Sequence, residues 1–131
     1  FCFMFDKTKL VVAFGSNFEP KINIAKAKQR LSSAFETIKF SSEIWTDPIN
    51  IKSEKFINCI AIAETSSDLN SVLHNLKEIE DECGNTIQKR KSGKVTMDVD
   101  ILKYGDVIMH EDDWKRQYII QLLKELNINI K

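Results

Sequence analysis

Two hydrophobic periods take turns along this chain, and the order in which they do so leaves few folds open. Residues 10–14, Leu-Val-Val-Ala-Phe, form a short β-rich run that stops at Gly15-Ser16-Asn17, three residues favoured in turns. After Pro20, suited to the first turn of a helix, Ile24, Ala27, Leu31, Ala34 and Ile38 recur every three or four residues, which predicts a helix over 21–35. Residues 40–45 read as a second strand, ended by Thr46-Asp47-Pro48 because proline cannot donate to a sheet ladder. A polar loop to residue 55 leads into a third strand over 56–63, apolar enough for a central place, with Asn58 as its one polar interruption.

Ser66, Ser67 and Asp68 are candidate caps for a helix whose stripe is Leu69, Val72, Leu73, Leu76, Ile79 and Cys83, with Gly84 at its expected stop. Residues 85–95 read as a polar loop. Residues 96–104 return to period two, with Met97, Val99 and Ile101 on one face and Asp98, Asp100 and Leu102 on the other. Tyr104-Gly105-Asp106 turns the chain, and Trp114, Tyr118, Leu122 and Leu126 predict a last helix over 112–126. This order is the α+β, ferredoxin-like βαββαβ arrangement with an additional C-terminal helix. At 131 residues it forms one domain, residues 1–131.

Charge and cysteine content narrow the function classes. Nineteen Lys and Arg against nineteen Asp and Glu give zero formal charge, so neither nucleic acid nor an anionic membrane is an expected partner, and any anion must meet a local cluster. Cys2, Cys59 and Cys83 are odd in number and have no CxxC spacing, which argues against a disulfide scaffold and for a reducing, cytoplasmic setting. The longest nearly apolar stretch, residues 57–63, is far short of the ~18 residues a membrane span needs. The opening Phe1-Cys2-Phe3-Met4-Phe5 lacks the basic flank of a signal peptide.

Candidate chemistry concentrates near residue 100. Asp98 and Asp100 alternate on one strand face with Cα atoms about 7 Å apart. Like charges so close repel, and a magnesium ion bridging them to substrate phosphates would relieve that; a solvated outer face with two aspartates is the alternative. Lys89, Arg90, Lys91 and Lys94 surround Gly93 just upstream, which suits a nucleoside triphosphate with magnesium or, equally, a solvated loop. Gly15-Ser16-Asn17 reads as a phosphate-facing turn or simply a turn. His110 and Arg116 could address phosphate or only the surface. Phe56 and Tyr118 are core aromatics or a clamp for a flat heterocycle.

Taken together, Ala13-Phe14-Gly15-Ser16-Asn17, Trp45-Thr46-Asp47-Pro48-Ile49, Phe56-Ile57-Asn58, Ile79-Glu80-Asp81-Glu82-Cys83-Gly84 and Met97-Asp98-Val99-Asp100-Ile101-Leu102-Lys103-Tyr104-Gly105-Asp106 follow the order and approximate spacing of the 6-hydroxymethyl-7,8-dihydropterin pyrophosphokinases. The chain resembles that folate-pathway family from about residue 10 to residue 126. The resemblance implies the same ferredoxin-like fold and transfer of pyrophosphate from ATP to the pterin, with AMP released and two Mg2+ ions accompanying ATP. It implies that Asp98 and Asp100 hold the metal and, with Arg116, carry catalysis; of the basic residues over 89–94, Lys94, beside the position of the family's second arginine, is the one expected to join them. Asn58 would bond the pterin edge with backbone help near Thr46 and Ile49, Phe56 and Tyr118 would stack on it, and Glu80, Ile101, His110 and Arg116 would bind ATP.

The chain departs from the family in one segment. Asn85, Ile87, Ser92 and Val95 stand where the family usually has arginine, arginine, tryptophan and arginine, and Lys94 replaces the proline of a Gly-Pro-Arg segment. The segment between Gly105 and His110 is also shorter than usual, and Met109 replaces the proline before the histidine. The expectation is a monomeric pyrophosphokinase with a divergent lid. The alternatives are a pterin- or nucleotide-binding homologue that catalyses poorly and a ferredoxin-like interaction module.

Overall fold

A computed structural model describes residues 7–48 and 54–127; Cys2 with the opening apolar run, and Ile49, lie outside the described residues. The chain runs β1 (Thr8–Ser16), α1 (Pro20–Ala34), β2 (Thr37–Phe40), β3 (Ile44–Thr46), β4 (Phe56–Thr65), α2 (Leu69–Glu82), α3 (Ile87–Lys91), β5 (Asp98–Tyr104), β6 (Val107–Ile108), a 3-10 turn (Glu111–Lys115) and α4 (Gln117–Glu125). The sheet order is β2-β4-β1-β5-β6, with β3 also lying along β4. Every neighbouring pair is antiparallel. With β2 and β3 counted as one interrupted strand, this is the ferredoxin-like α+β order expected from the sequence.

The expected second strand is split because two serines take over its ladder. Ser41 is buried, accepts from the Ile60 N–H through its hydroxyl at 2.9 Å, and donates its own N–H to the Ile60 carbonyl at 2.8 Å. Next to it, Ser42 N–H and hydroxyl both donate to Glu125 of α4. The side chains leave β2 and β3 as separate short runs on the same edge of β4.

The last helix is also shorter than expected. Trp114 donates its indole N–H to the carbonyls of Leu102 and Met109, pinning a 3-10 turn to β5. Arg116 then adopts extended backbone before α4 begins. The expected loop over 85–95 contains α3, whose N-cap Thr86 accepts from the Lys89 N–H at 3.1 Å. Gly93 closes it at φ +82°, a conformation glycine adopts without strain. The cap of α2 is Asp68, accepting from Ser71 N–H at 2.8 Å, and Gly84 ends it at φ +85°.

Alternation along the strands sorts the apolar residues into two cores. On one face Leu10, Val12, Phe14, Met97, Val99 and Ile101 pack with Ile24, Ala27 and Leu31 of α1 and Val72, Leu76 and Ile79 of α2. On the other, Val11, Ile60 and Leu102 meet Ile119, Leu122, Leu123 and Leu126, the apolar side of α4 and its end. That helix covers the sheet only in part, and its N-terminal end stops beside Asp98 and Asp100.

Leu122 is completely buried, and Leu122→Ala should destabilise the protein by about 2–5 kcal/mol. Chemical denaturation checks this; a loss well below 1 kcal/mol would mean that α4 is not part of the cooperative unit.

Candidate functional site

At the end of β1 the backbone passes Asn58 so closely that a Cβ on Gly15 would collide with the Asn58 carboxamide oxygen. The register explains the approach: Asn58 on β4 lies between Gly15 of β1 and Ile44 of β3. Its amide donates to the Thr46 hydroxyl at 2.6 Å, which fixes the carboxamide and uses one of its two amide protons. Phe56 enters at the start of β4, and Tyr118 comes from the first turn of α4.

Directly beside this amide and aromatic wall stand Asp98 and Asp100. Burial of Val99 and Ile101 in the α1/α2 core turns the alternating carboxylates to the α4 side. A cavity of about 180 Å³ joins the two walls: Gly15, Thr46, Phe56, Asn58 and Tyr118 line it together with Asp98, Asp100 and Arg116. Asp47 and Asp113 also reach it, the latter accepting from Arg116 Nε at 2.9 Å. A larger cavity of about 710 Å³ lies elsewhere, toward Lys9 and Leu126, and holds none of these residues.

The electrostatics are those of a crowded anionic site. Burial, and after it the charge of Asp98, pushes the Asp100 carboxyl up to about 6. An imidazole and a guanidinium stand nearby: His110 Nε2 is 3.9 Å from Asp100, and Arg90 Nη2 is 3.3 Å from Asp98. His110 holds its place from a left-handed backbone conformation, φ 53°. Glu80 of α2 accepts from the Val99 N–H at 2.8 Å, so it substitutes for a neighbouring strand along β5; burial raises its carboxyl above the ordinary range, against that hydrogen bond. Burial likewise raises the Tyr118 phenol and keeps it protonated.

The sequence-expected residues therefore divide. Thr46, Phe56, Asn58, Asp98, Asp100, Arg116 and Tyr118 meet at one cavity. His110 and Glu80 stand just behind it. Ile101 is 1% exposed in the α1/α2 core, so its main chain is what it can offer a nucleotide. Lys94, the lysine expected to act, lies over the Phe18 ring at 5.6 Å, and the basic residue that reaches the carboxylates is Arg90. Unforeseen was the work of Asn17, whose amide donates to the Gly93 carbonyl at 2.7 Å and accepts from the Val95 N–H at 2.6 Å. The buried Asn17 thus fastens the base of the basic segment, although its turn-forming Gly-Ser-Asn context was legible.

Among the described residues no three His, Cys, Asp or Glu side chains form a complete cation cage. The two carboxylates on one strand face fit Mg2+ in a different way. This hard cation commonly takes one or two carboxylates and completes its shell with water and substrate phosphates; the Asp100 carboxyl is raised first by burial and then by the charge of Asp98, and a cation would offset both.

Asp100 carries a stability consequence. Its folded value, about 6, lies above the ordinary 3.8, so stability present below the ordinary value is lost as pH rises through the folded one. Because the side chain is partly exposed, screening should leave a penalty on the order of 1 kcal/mol in metal-free protein at neutral pH. Urea denaturation of Asp100→Asn should show a gain over wild type that grows between about pH 4 and about pH 7. A difference independent of pH would contradict this.

Comparison with known proteins bears on the same elements. The family model described as 7,8-dihydro-6-hydroxymethylpterin-pyrophosphokinase matches residues 11–128. The chain is 28% identical to a folate synthesis bifunctional protein of Arabidopsis thaliana over 90% of its own length and 27% of that protein's. It is 26% identical to a folic acid synthesis protein of Dictyostelium discoideum, over 90% of its own length and 19% of the relative's. A 2-amino-4-hydroxy-6-hydroxymethyldihydropteridine pyrophosphokinase of Haemophilus influenzae is 29% identical over 88% of this chain and 79% of its own. The chain thus spans only about a quarter of the first of these relatives. The matched stretch begins within β1 and runs past α4, taking in both walls of the cavity, and the chain belongs to the 7,8-dihydro-6-hydroxymethylpterin-pyrophosphokinase family.

Proposed function

We propose that this chain transfers pyrophosphate from ATP to 6-hydroxymethyl-7,8-dihydropterin in folate biosynthesis and releases AMP. The observation that carries the reading is a single cavity with an amide and two aromatic rings on one wall and a carboxylate pair with an arginine on the other. A flat heterocycle suits the first wall and a metal-bound polyphosphate the second. We further assign the chain as one domain, working as a monomer in the cytoplasm, a setting in which the buried thiols of Cys59 and Cys83 stay reduced. Among the described residues no helix is long and apolar enough to cross a membrane.

In the reaction, the pterin hydroxyl oxygen forms a bond to the β-phosphorus and loses its proton. The bond from that phosphorus to the oxygen bridging it to the α-phosphate breaks, and AMP departs with the electron pair. Little covalent work falls to the protein, so its contribution is alignment and charge balance. Asn58, held by Thr46, orients the heterocycle, while Phe56 and Tyr118 flank it and exclude water. The neutral Tyr118 phenol adds no charge beside the carboxylates. Arg116 offers a planar guanidinium to phosphate oxygens, and His110 can donate from beside Asp100. Asp98 and Asp100 would hold the two Mg2+ ions, which draw charge from the phosphate oxygens when bound.

A second reading, a homologue that binds pterin or nucleotide but turns over slowly, draws on Val95 being 8% exposed and packed inward where the family has an arginine. An interaction module without a reaction is set aside by the family membership.

An assay coupled to AMP, run on MgATP with and without the pterin, separates the two readings: pterin-dependent release is expected, and tight binding without release would favour the second. Asp98→Asn and Asp100→Asn should abolish release while thermal unfolding stays cooperative. Asn58→Ala should weaken pterin binding by roughly 1–3 kcal/mol with little change for ATP, measured by calorimetry. Equal losses for both ligands would remove Asn58 from the pterin wall.

A further inference from the structure

The lid positions at which the family carries arginines cannot supply charge here. Asn85 has a buried carboxamide oxygen without a partner, Ile87 is exposed and apolar, and Val95 is packed inward. Four basic residues lie between them, and the structure gives them different tasks. Lys89 donates to the Gly84 carbonyl at 3.1 Å and lies over the Phe18 ring at 5.3 Å. Lys94 covers that same ring. Both amines thus serve to dock the segment on Phe18. Lys91 is exposed. Arg90 is the one of the four that contacts the carboxylate pair, 3.3 Å from Asp98.

The support for Arg90 is ordered at both ends. Thr86 caps α3, Gly93 N–H returns to the Arg90 carbonyl at 3.0 Å, and Lys94 N–H returns to the Lys89 carbonyl at 2.8 Å. Asn17 then ties residues 93 and 95 to the end of β1. The short helix therefore presents the guanidinium to the mouth of the site from a fixed base, with the side chain still 40% exposed and able to swing.

On the pyrophosphoryl-transfer reading above, we propose that Arg90 is the lid cation of this chain: it offsets the carboxylate pair in the empty site and turns to the phosphate oxygens of ATP when the metal-bound nucleotide takes its place. An exposed ion pair with no further duty contributes little to stability and would leave ligand binding unmoved. The proposed role differs because it makes the same side chain a competitor of free metal and a partner of the triphosphate. Its planar fork matches a phosphate edge, which a lysine cannot reproduce.

Three measurements on Arg90→Ala and Arg90→Lys test this, with circular dichroism to confirm folding. Free Mn2+, followed by water relaxation without nucleotide, should bind Arg90→Ala several-fold more tightly than wild type, since a competing cation has gone. Affinity for α,β-methylene-ATP with Mg2+ should instead fall, by less than tenfold. The single-turnover rate of AMP release should drop about 100-fold, with partial recovery in Arg90→Lys and a smaller loss in Lys94→Ala. Unchanged Mn2+ and analogue binding overturns the assignment, as does a larger rate loss from Lys94→Ala than from Arg90→Ala. If wild type itself releases no AMP, the reaction reading falls, and the opposed shifts in Mn2+ and analogue affinity still decide whether Arg90 faces metal and phosphate.

Discussion

Burial of Val99 and Ile101 under α1 and α2 is the contact on which the rest of this site depends. A strand has two faces, and once those two side chains enter one core, Asp98 and Asp100 must emerge together on the other. A one-residue slip of β5 against β1 would send both carboxylates into an apolar core, at a desolvation cost no pairing there could offset. The ladder that places Phe14 opposite Val99 and Gly15 opposite Asp98 thus sets fold and chemistry at once.

The second constraint is where α4 stops. Leu122 and Leu123 hold it against Leu102 and Ile60, and Trp114 pins the turn before it to β5, so the carboxylate end of that sheet face stays open. The opening is lined by Arg116 and Tyr118 and by Asn58, whose approach to β1 tolerates only glycine at residue 15. Burial, and after it the charge of Asp98, raises the cost of ionising Asp100 in such a place, and nearby Arg90 and His110 only partly offset it.

Periodicity made the elements and both cores legible, because the stripes of α1 and α2 and the alternation on β5 are direct consequences of burial. The split between β2 and β3 was not, since it rests on the Ser41 and Ser42 hydroxyls meeting Ile60 and Glu125, residues distant in sequence. The late start of the last helix rests on Trp114 finding the Leu102 carbonyl on β5. In the site, the carboxylate pair, Asn58 and the two aromatics were readable from residue type and from family resemblance. Choosing among the basic residues was not: Lys94 looked well placed along the chain, yet Phe18 holds it and a short capped helix carries Arg90 to Asp98. Thr86 and Gly93, a cap and a stop around five residues, were the available signal for that helix.

The central claim is that one cavity receives both substrates, with the metal on Asp98 and Asp100. Anomalous diffraction from crystals grown with Mn2+, α,β-methylene-ATP and 6-hydroxymethyl-7,8-dihydropterin tests it most directly. The account expects manganese peaks against both aspartates, with the pterin between Phe56 and Tyr118. Manganese bound away from that pair, or a pterin seated in the larger cavity near Lys9 and Leu126, would contradict it.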